Sequence, residues 1–496
     1  MAKFILALDE GTTASTAMVV AQDLTFLAKA SNEITQIYPK PGWVEHDPED
    51  IWNATCLSAK QAMEKAGVDA ADCAAVAITN QRETSVIWDR ETGKPVYNAI
   101  VWQCRRTTAF CERAKEEGLE EYFRHRTGLV LDPYFSGTKV RWVLDHVPGV
   151  RDDAEAGKLA FGTIDTWLIY RLTAGVSHVT DPSNACRTLL FNIQRLQFDE
   201  ALLGLLKIPR SLVPEVRPSA GDFGVTKGLD FLPDGIPIAG VCGDQQSALF
   251  GQTCFDEGQS KCTYGTGAFL LMNTGEKLVP STHGLLTSVG WTVNGKTNYV
   301  LEGSSFIAGA AVQWLRDSLG FFKTAPEVEE LAASVEDSGG VVFVPALAGL
   351  GAPYWDPSAR GALFGLTRGA TKAHISRAVL EGIALQIAEL LDAMGKDLGK
   401  PLTELRVDGG ASANNLMMQF QADILDVPVL RPKNVDTTAL GAAMLAGISI
   451  GMWDMARLRE MAAVDSRFGP KFTAAERADY LNRYKSAVKC VCGHQC

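Results

Sequence analysis

The chain has 496 residues, of which 46% are hydrophobic and 21% charged, with 46 glycines and a net charge of −11. That length is more than one core can organise, so two large α/β domains of roughly 250 residues are expected, 1–251 and 252–496. The charge is spread without a basic run, which argues against nucleic acid as a partner. No apolar run approaches membrane-spanning length, and the first residues enter a strand directly, so a cytoplasmic protein is expected.

Phe4-Ile5-Leu6-Ala7-Leu8 is a continuous apolar strand, Asp9-Glu10-Gly11-Thr12-Thr13 reads as a turn, and Ala17-Met18-Val19-Val20 is a second strand. The glycine and the two threonines offer N–H and O–H groups in a small concavity suited to a phosphate. An aspartate beside phosphates points to magnesium, held directly or through water. An ordinary hairpin with a polar turn fits the same residues. Asp47 is the N-cap of a following helix and Pro48 its first residue, so His46 and Asp47 are read as structural.

Ala74-Ala75-Val76-Ala77-Ile78-Thr79 is another buried strand, ending in Asn80-Gln81-Arg82-Glu83-Thr84. A hydroxyl both donates and accepts, so an adjacent Arg and Glu could read a polyol. A surface ion pair is the other reading. Trp102 follows beside Arg105 and Arg106, and Tyr134-Phe135-Ser136-Gly137-Thr138-Lys139 is expected to precede a helix over 140–146.

The stretch 236–241 is an apolar strand leading into Gly243-Asp244-Gln245-Gln246. An acid at the end of a buried strand lies where open α/β sheets keep their ligands. Partial removal from water makes a carboxylate a better proton acceptor. Asp244 could instead cap the helix that begins near Ser247.

The second half repeats the opening theme. Ser260-Lys261-Cys262-Thr263 runs into Tyr264-Gly265-Thr266-Gly267 and then into strand Ala268-Phe269-Leu270-Leu271-Met272. Two such loops, one per half, could grip a polyphosphate from both sides. Residues 290–297 match the P-loop pattern letter for letter, but Asn294-Gly295 is a hairpin turn between two strand-like runs, so a P-loop is rejected. Glu404-Leu405-Arg406-Val407 leads into Asp408-Gly409-Gly410, where paired glycines allow close approach and a purine and ribose could fit. A small-faced helix over 440–446 carries Gly441-Ala442-Ala443. Of eleven cysteines, Cys56, Cys73, Cys186 and Cys262 are expected reduced and buried. The tail from Cys490 to Cys496 is expected to fray rather than to bind zinc.

Taken together and in order, these motifs resemble the FGGY carbohydrate kinases over residues 3–447. Leu8-Asp9-Glu10-Gly11-Thr12-Thr13, Asn80-Gln81-Arg82-Glu83-Thr84 and Trp102-Gln103-Cys104-Arg105-Arg106-Thr107 come first. The two family signatures look present at 134–142 and from Gly361-Ala362-Leu363-Phe364-Gly365-Leu366 onward, with Gly243-Asp244-Gln245-Gln246 and Tyr264-Gly265-Thr266-Gly267 between them and Asp408-Gly409-Gly410 at the end. The resemblance implies two actin-like (ribonuclease H-like) α/β domains closing over a catalytic cleft. It also implies transfer of the γ-phosphoryl group of ATP, with Mg2+, to a terminal hydroxyl of glycerol. Asp244 would be the general base. Arg82, Glu83, Asp244, Gln245 and Tyr134 would bind the hydroxyls, with Trp102 and Phe269 as the carbon-face walls. Asp9 would hold the metal. Thr12, Thr13, Ala14 and Thr266 would lie at the phosphates, Gly309 and Gln313 beside the nucleotide, and Gly410 and Asn414 at the adenosine.

Relatives form dimers and tetramers, so a homodimer or homotetramer is expected. Three departures matter. Thr16 stands where an arginine is common, the 232–235 loop before Asp244 has no arginine, and no histidine lies between His178 and His283. Control by fructose bisphosphate or by phosphohistidine is therefore expected to be absent. The alternatives are a family kinase for another polyol or ketose, which often shows Trp-x-Asp-x-Arg at the Trp102 motif, and an actin- or chaperone-like ATPase.

Overall fold

The computed structural model describes residues 3–356, 358–462 and 464–492. Strands β1 (Phe4–Glu10), β2 (Ala14–Val20) and β3 (Phe26–Glu33) form an antiparallel meander, to which β4 (Cys73–Asn80) and β5 (Ile238–Gly243) add in parallel beside β1. β1 and β4 are covered on both faces, which is why they read as unbroken apolar runs. The ladder continues through Asp9 and Glu10 to Thr16 and Ser15, so the turn shrinks to residues 11–13 and the two acids end the strand instead of lying in the turn.

Helix α1 (Pro48–Ala66) starts as expected, with Asp47 Oδ1 accepting from Glu49 N. Helix α2 (Ser136–His146) begins four residues before the expected start at 140. The helix-poor Ser136-Gly137-Thr138 is drawn in by tertiary contact, with Gly137 N donating to Thr188 O at 2.7 Å. Helix α3 (Asp244–Gly251) follows β5 directly.

In the second body, β6 (Ser260–Tyr264), β7 (Ala268–Asn273), β8 (Leu286–Val293), β9 (Lys296–Ser305), β10 (Leu405–Asp408), β11 (Val429–Pro432) and β12 (Val464–Phe468) make a seven-stranded sheet in the order β8-β9-β7-β6-β10-β11-β12. Its inner five, β9-β7-β6-β10-β11, repeat the pairing of β3-β2-β1-β4-β5: two antiparallel steps, then two parallel ones. The protein is therefore two α/β bodies of one design with a cleft between them. Equivalent loops, 11–13 and 265–267, join equivalent strands.

The P-loop look-alike is the β8–β9 hairpin, with Val293 opposite Lys296 and Asn294 and Gly295 at φ 52° and 75°.

Helices α4 (Gly309–Asp317), α5 (Asn415–Leu425), α6 (Thr437–Ser449) and α7 (Ala474–Val491) complete the elements needed here. α6 crosses back and lies on the first sheet, packing Ala439, Ala442 and Ala443 with Ile5, Ala7, Ala75 and Ala77 in one buried cluster. A Cβ on Gly441 would stand 1.8 Å from Ser247 O of α3, so the small-residue face lets two backbones touch. Cys73, Cys186 and Cys262 are buried thiols, but Cys56 is half-exposed. α7 carries Cys490 as an ordered helical residue, against the expected fraying, while residues 493–496 of the tail lie outside the described residues.

Candidate active site

Asp244 is the first residue of α3 but does not cap it, since the cap position is Gly243 and makes no side-chain bond. Asp244 Oδ1 instead accepts from Gln245 N at 2.7 Å and lies 3.0 Å from Arg82 Nε. Its side chain is 31% exposed, so part of the carboxylate stays open to solvent.

Arg82 and Glu83 lie in the loop after β4 and are buried, so they are no surface ion pair. Arg82 Nη1 and Nη2 each donate to the Glu302 carboxylate at 2.8 Å, and Nη1 also donates to Gln246 Oε1 at 3.0 Å. With Nε on Asp244, one Nη2 hydrogen is left for a ligand. Glu83 Oε1 accepts from Arg187 Nε at 2.5 Å, and Arg187 Nη1 reaches Ser288 Oγ and Glu302 Oε2. Glu83 holds φ at 64°, a left-handed conformation unusual outside glycine, as strained residues at working sites often do.

Burial pulls Glu302 upward, but Arg187 and Arg82 overcome it and hold the carboxyl at about 2. For Glu83 the balance goes the other way. Burial raises it, and Arg187 and Arg82 offset only part of that.

Three rings stand beside this cluster. Trp102 meets Tyr134 edge-on at 5.5 Å and Phe269 at 6.5 Å. Trp102 Nε1 donates to Thr12 Oγ1 at 2.9 Å, so the Thr12 hydrogen is free to donate elsewhere. The ring cluster and the first loop are thus joined by one bond. Lys139 sets Tyr134 in place by donating to the carbonyls of Pro133, Tyr134 and Phe135.

Thr13 is exposed and Ala14 half-exposed at the first loop, and Thr266 is exposed at the second. Gly309 packs under that second loop, its N donating to Gly265 O at 3.0 Å, and a Cβ on it would stand 3.9 Å from Ala411 Cβ. The loop, α4 and the 410–414 turn therefore converge. Gly409 is used in packing, because a Cβ there would meet Tyr264 O at 2.6 Å, whereas Gly410 faces open space. Gln313 is exposed one turn along α4, and Asn414 Oδ1 caps α5 by accepting from Met417 N at 2.8 Å.

Asp9 ends β1. Burial first, then Asp244 and Asp436, raise its carboxyl to about 7, with Lys29 opposing. Acids short of cations suit a divalent ion. Among the described residues no group of three or more His, Cys, Asp or Glu side chains could hold a metal alone. The fit is therefore to an ion held by one or two carboxylates together with phosphate oxygens and water, which is the habit of Mg2+.

Sequence profiles of the N-terminal and C-terminal domains of the FGGY family of carbohydrate kinases match residues 4–251 and 260–450. The chain belongs to the FGGY family. Among the relatives of this FGGY chain is the glycerol kinase of Shewanella piezotolerans, 56% identical over 98% of this chain and 99% of that one. Glycerol kinase 2 of Thermotoga maritima is also 56% identical, over 98% of each. The crystal structure of Plasmodium falciparum glycerol kinase with ADP superposes with a TM-score of 0.93 at 37% identity, covering 99% of this chain and 98% of that one.

Sequence reasoning missed Glu302, Arg187, Gln246 and Lys261 of this FGGY site. Gln246 stands inside the Gly243-Asp244-Gln245-Gln246 motif without a role assigned to it, and the signal for Glu302 is a charge in an otherwise apolar stretch, Val300-Leu301-Glu302-Gly303.

Proposed function

We propose that the protein is an ATP-dependent glycerol kinase, giving sn-glycerol 3-phosphate and ADP. The observation that carries this reading is the set of unspent polar groups beside the three rings. Arg82 has one hydrogen to give, and Glu83 Oε2 and Asp244 Oδ2 are free to accept. That set suits a short polyol, whose carbon face rests on Trp102, Tyr134 and Phe269. The glycerol kinases that match this chain end to end support it.

Asp244 takes the proton of the terminal hydroxyl as that oxygen attacks the γ-phosphorus, and the β–γ bridging oxygen leaves with ADP. Arg82, Glu83, Gln245 and Tyr134 orient the polyol. Thr12, Thr13, Ala14 and Thr266 meet the phosphates from two sides, Gly309 and Gln313 flank the nucleotide, and Gly410 and Asn414 flank the adenosine. Asp9 would hold Mg2+, which neutralises phosphate charge when bound. Most of the acceleration comes from positioning and neutralised charge. Closure excludes water, the competing acceptor. We divide the chain into 1–251 for polyol and phosphate and 252–496 for nucleotide, and place it in the cytoplasm as a homodimer or homotetramer. No helix of the described residues is long and apolar enough to cross a membrane.

The test is ADP release from MgATP with and without glycerol, in the wild type and in Asp244→Asn. Strict glycerol dependence is expected, with the variant slower by about 10²–10⁴-fold. Turnover only with a longer polyol or a ketose would move the assignment within the family. Turnover indifferent to glycerol would replace it with an ATPase.

A further inference from the structure

Lys261 is fully buried on β6, and its Nζ donates to Gln245 Oε1 at 2.5 Å and to Thr263 Oγ1 at 2.7 Å. An ammonium has only hydrogens to offer, so each atom facing it must be an acceptor. The Gln245 amide is therefore held by its carbonyl end, with Nε2 turned away as a donor. The Thr263 oxygen is held as an acceptor, so its own hydrogen is directed elsewhere. Gln245 adjoins Asp244, and Thr263 lies two residues before Gly265 of the second phosphate loop.

We infer that Lys261 is a positioning residue for phosphoryl transfer: it fixes Gln245 as a donor toward the polyol and Thr263 as a donor toward the phosphate loop. The inference rests on the kinase reading given above. Without Lys261 the Gln245 amide is free to turn over, presenting a carbonyl where a donor is needed. Burial pushes the Lys261 amine below its ordinary value, while Asp408 and Asp244 act in the opposite direction, so the group is held in place by its surroundings at some electrostatic cost. A buried lysine that served only to fill space would be replaced by an apolar side chain without this cost.

A double-mutant cycle tests it. Lys261→Met, Gln245→Ala and the pair are compared for kcat and glycerol KM by ADP release, and for Tm without ligand. Lys261→Met is expected to raise glycerol KM about tenfold to a hundredfold, the worth of one charge-assisted hydrogen bond. In the Gln245→Ala background the further rise should be under about threefold, and the two Tm losses should be less than additive. Equal factors in both backgrounds would reduce Lys261 to a structural role and overturn the inference. So would an unchanged glycerol KM in Lys261→Met, whatever happens to kcat, since Gln245 would then keep its orientation without the ammonium.

Gln245→Glu guards against a misfolded methionine variant. It keeps an acceptor for Lys261 and removes the donor, so it should raise KM as much as Gln245→Ala does. A wild-type KM in Gln245→Glu overturns the inference. A wild type with no glycerol-dependent turnover would overturn the kinase reading, while the Tm coupling would still decide whether Lys261 holds Gln245.

Discussion

Two guanidinium groups share one buried cluster, and they repel each other unless carboxylates stand between them. Glu302 is that carboxylate, bonded to both Arg82 and Arg187 and almost wholly out of water. Glu302→Gln should therefore lower stability by about 3–5 kcal/mol, the usual cost of an uncompensated buried charge, and raise glycerol KM as Arg82 loosens. Urea unfolding and ADP-release kinetics check the two parts. The sign with pH follows from the carboxyl lying at about 2, below its ordinary 4.5. The contribution of Glu302 is complete above pH 4.5 and is lost as pH falls toward 2. Urea midpoints between those limits should fall more steeply for the wild type than for Glu302→Gln. Arg82, Glu83 and Asp244 were legible because each lies in a short polar motif at a strand end. Glu302 and Arg187 were not, because the partners that give them meaning lie 220 and 104 residues away in the chain.

The junction of α3 and α6 is set by glycine rather than by large side chains. Gly441→Ala would drive a methyl group into Ser247 O, and neither backbone can move without disturbing the first sheet. A loss of about 1–3 kcal/mol, toward the upper end, is expected, read as a lower urea midpoint. A fall of less than about 0.5 kcal/mol, as for an ordinary surface site, would show that the helices separate freely. The small face of α6 was plain in Gly441-Ala442-Ala443, and so was the Asn294-Gly295 hairpin, because both are written in local residue types. The sheet that α6 covers was not legible. A helix face states that it needs a close neighbour, not which one. The early start of α2 was hidden for a related reason, since Ser136-Gly137-Thr138 has poor helix propensity and is held helical by contacts with residue 188.

At the scale of the molecule, the two-body design was legible from the repeated strand–loop–strand theme and the order of the motifs. The order of strands within each sheet was not, because parallel neighbours are joined by long crossovers that leave no local trace. The 232–235 loop gives a regulatory prediction. Its Pro233 O accepts from Thr226 Oγ1 and its Asp234 Oδ1 from Gly228 N, so the loop offers a carboxylate and no cation to a phosphate. Fructose 1,6-bisphosphate titrated into the ADP-release assay should leave the rate unchanged. The return of α6 to the first sheet has a consequence for how the protein is made. Ile5, Ala7, Ala75 and Ala77 are synthesised well before the Ala439, Ala442 and Ala443 that pack on them. Until α6 is made, the part of the first sheet it packs on is covered only by earlier elements such as Leu249 and Phe250 of α3, so the first body is expected to be less stable alone. A chain stopped after residue 251 should be sticky and protease-sensitive, and a separately supplied 252–496 segment should rescue it.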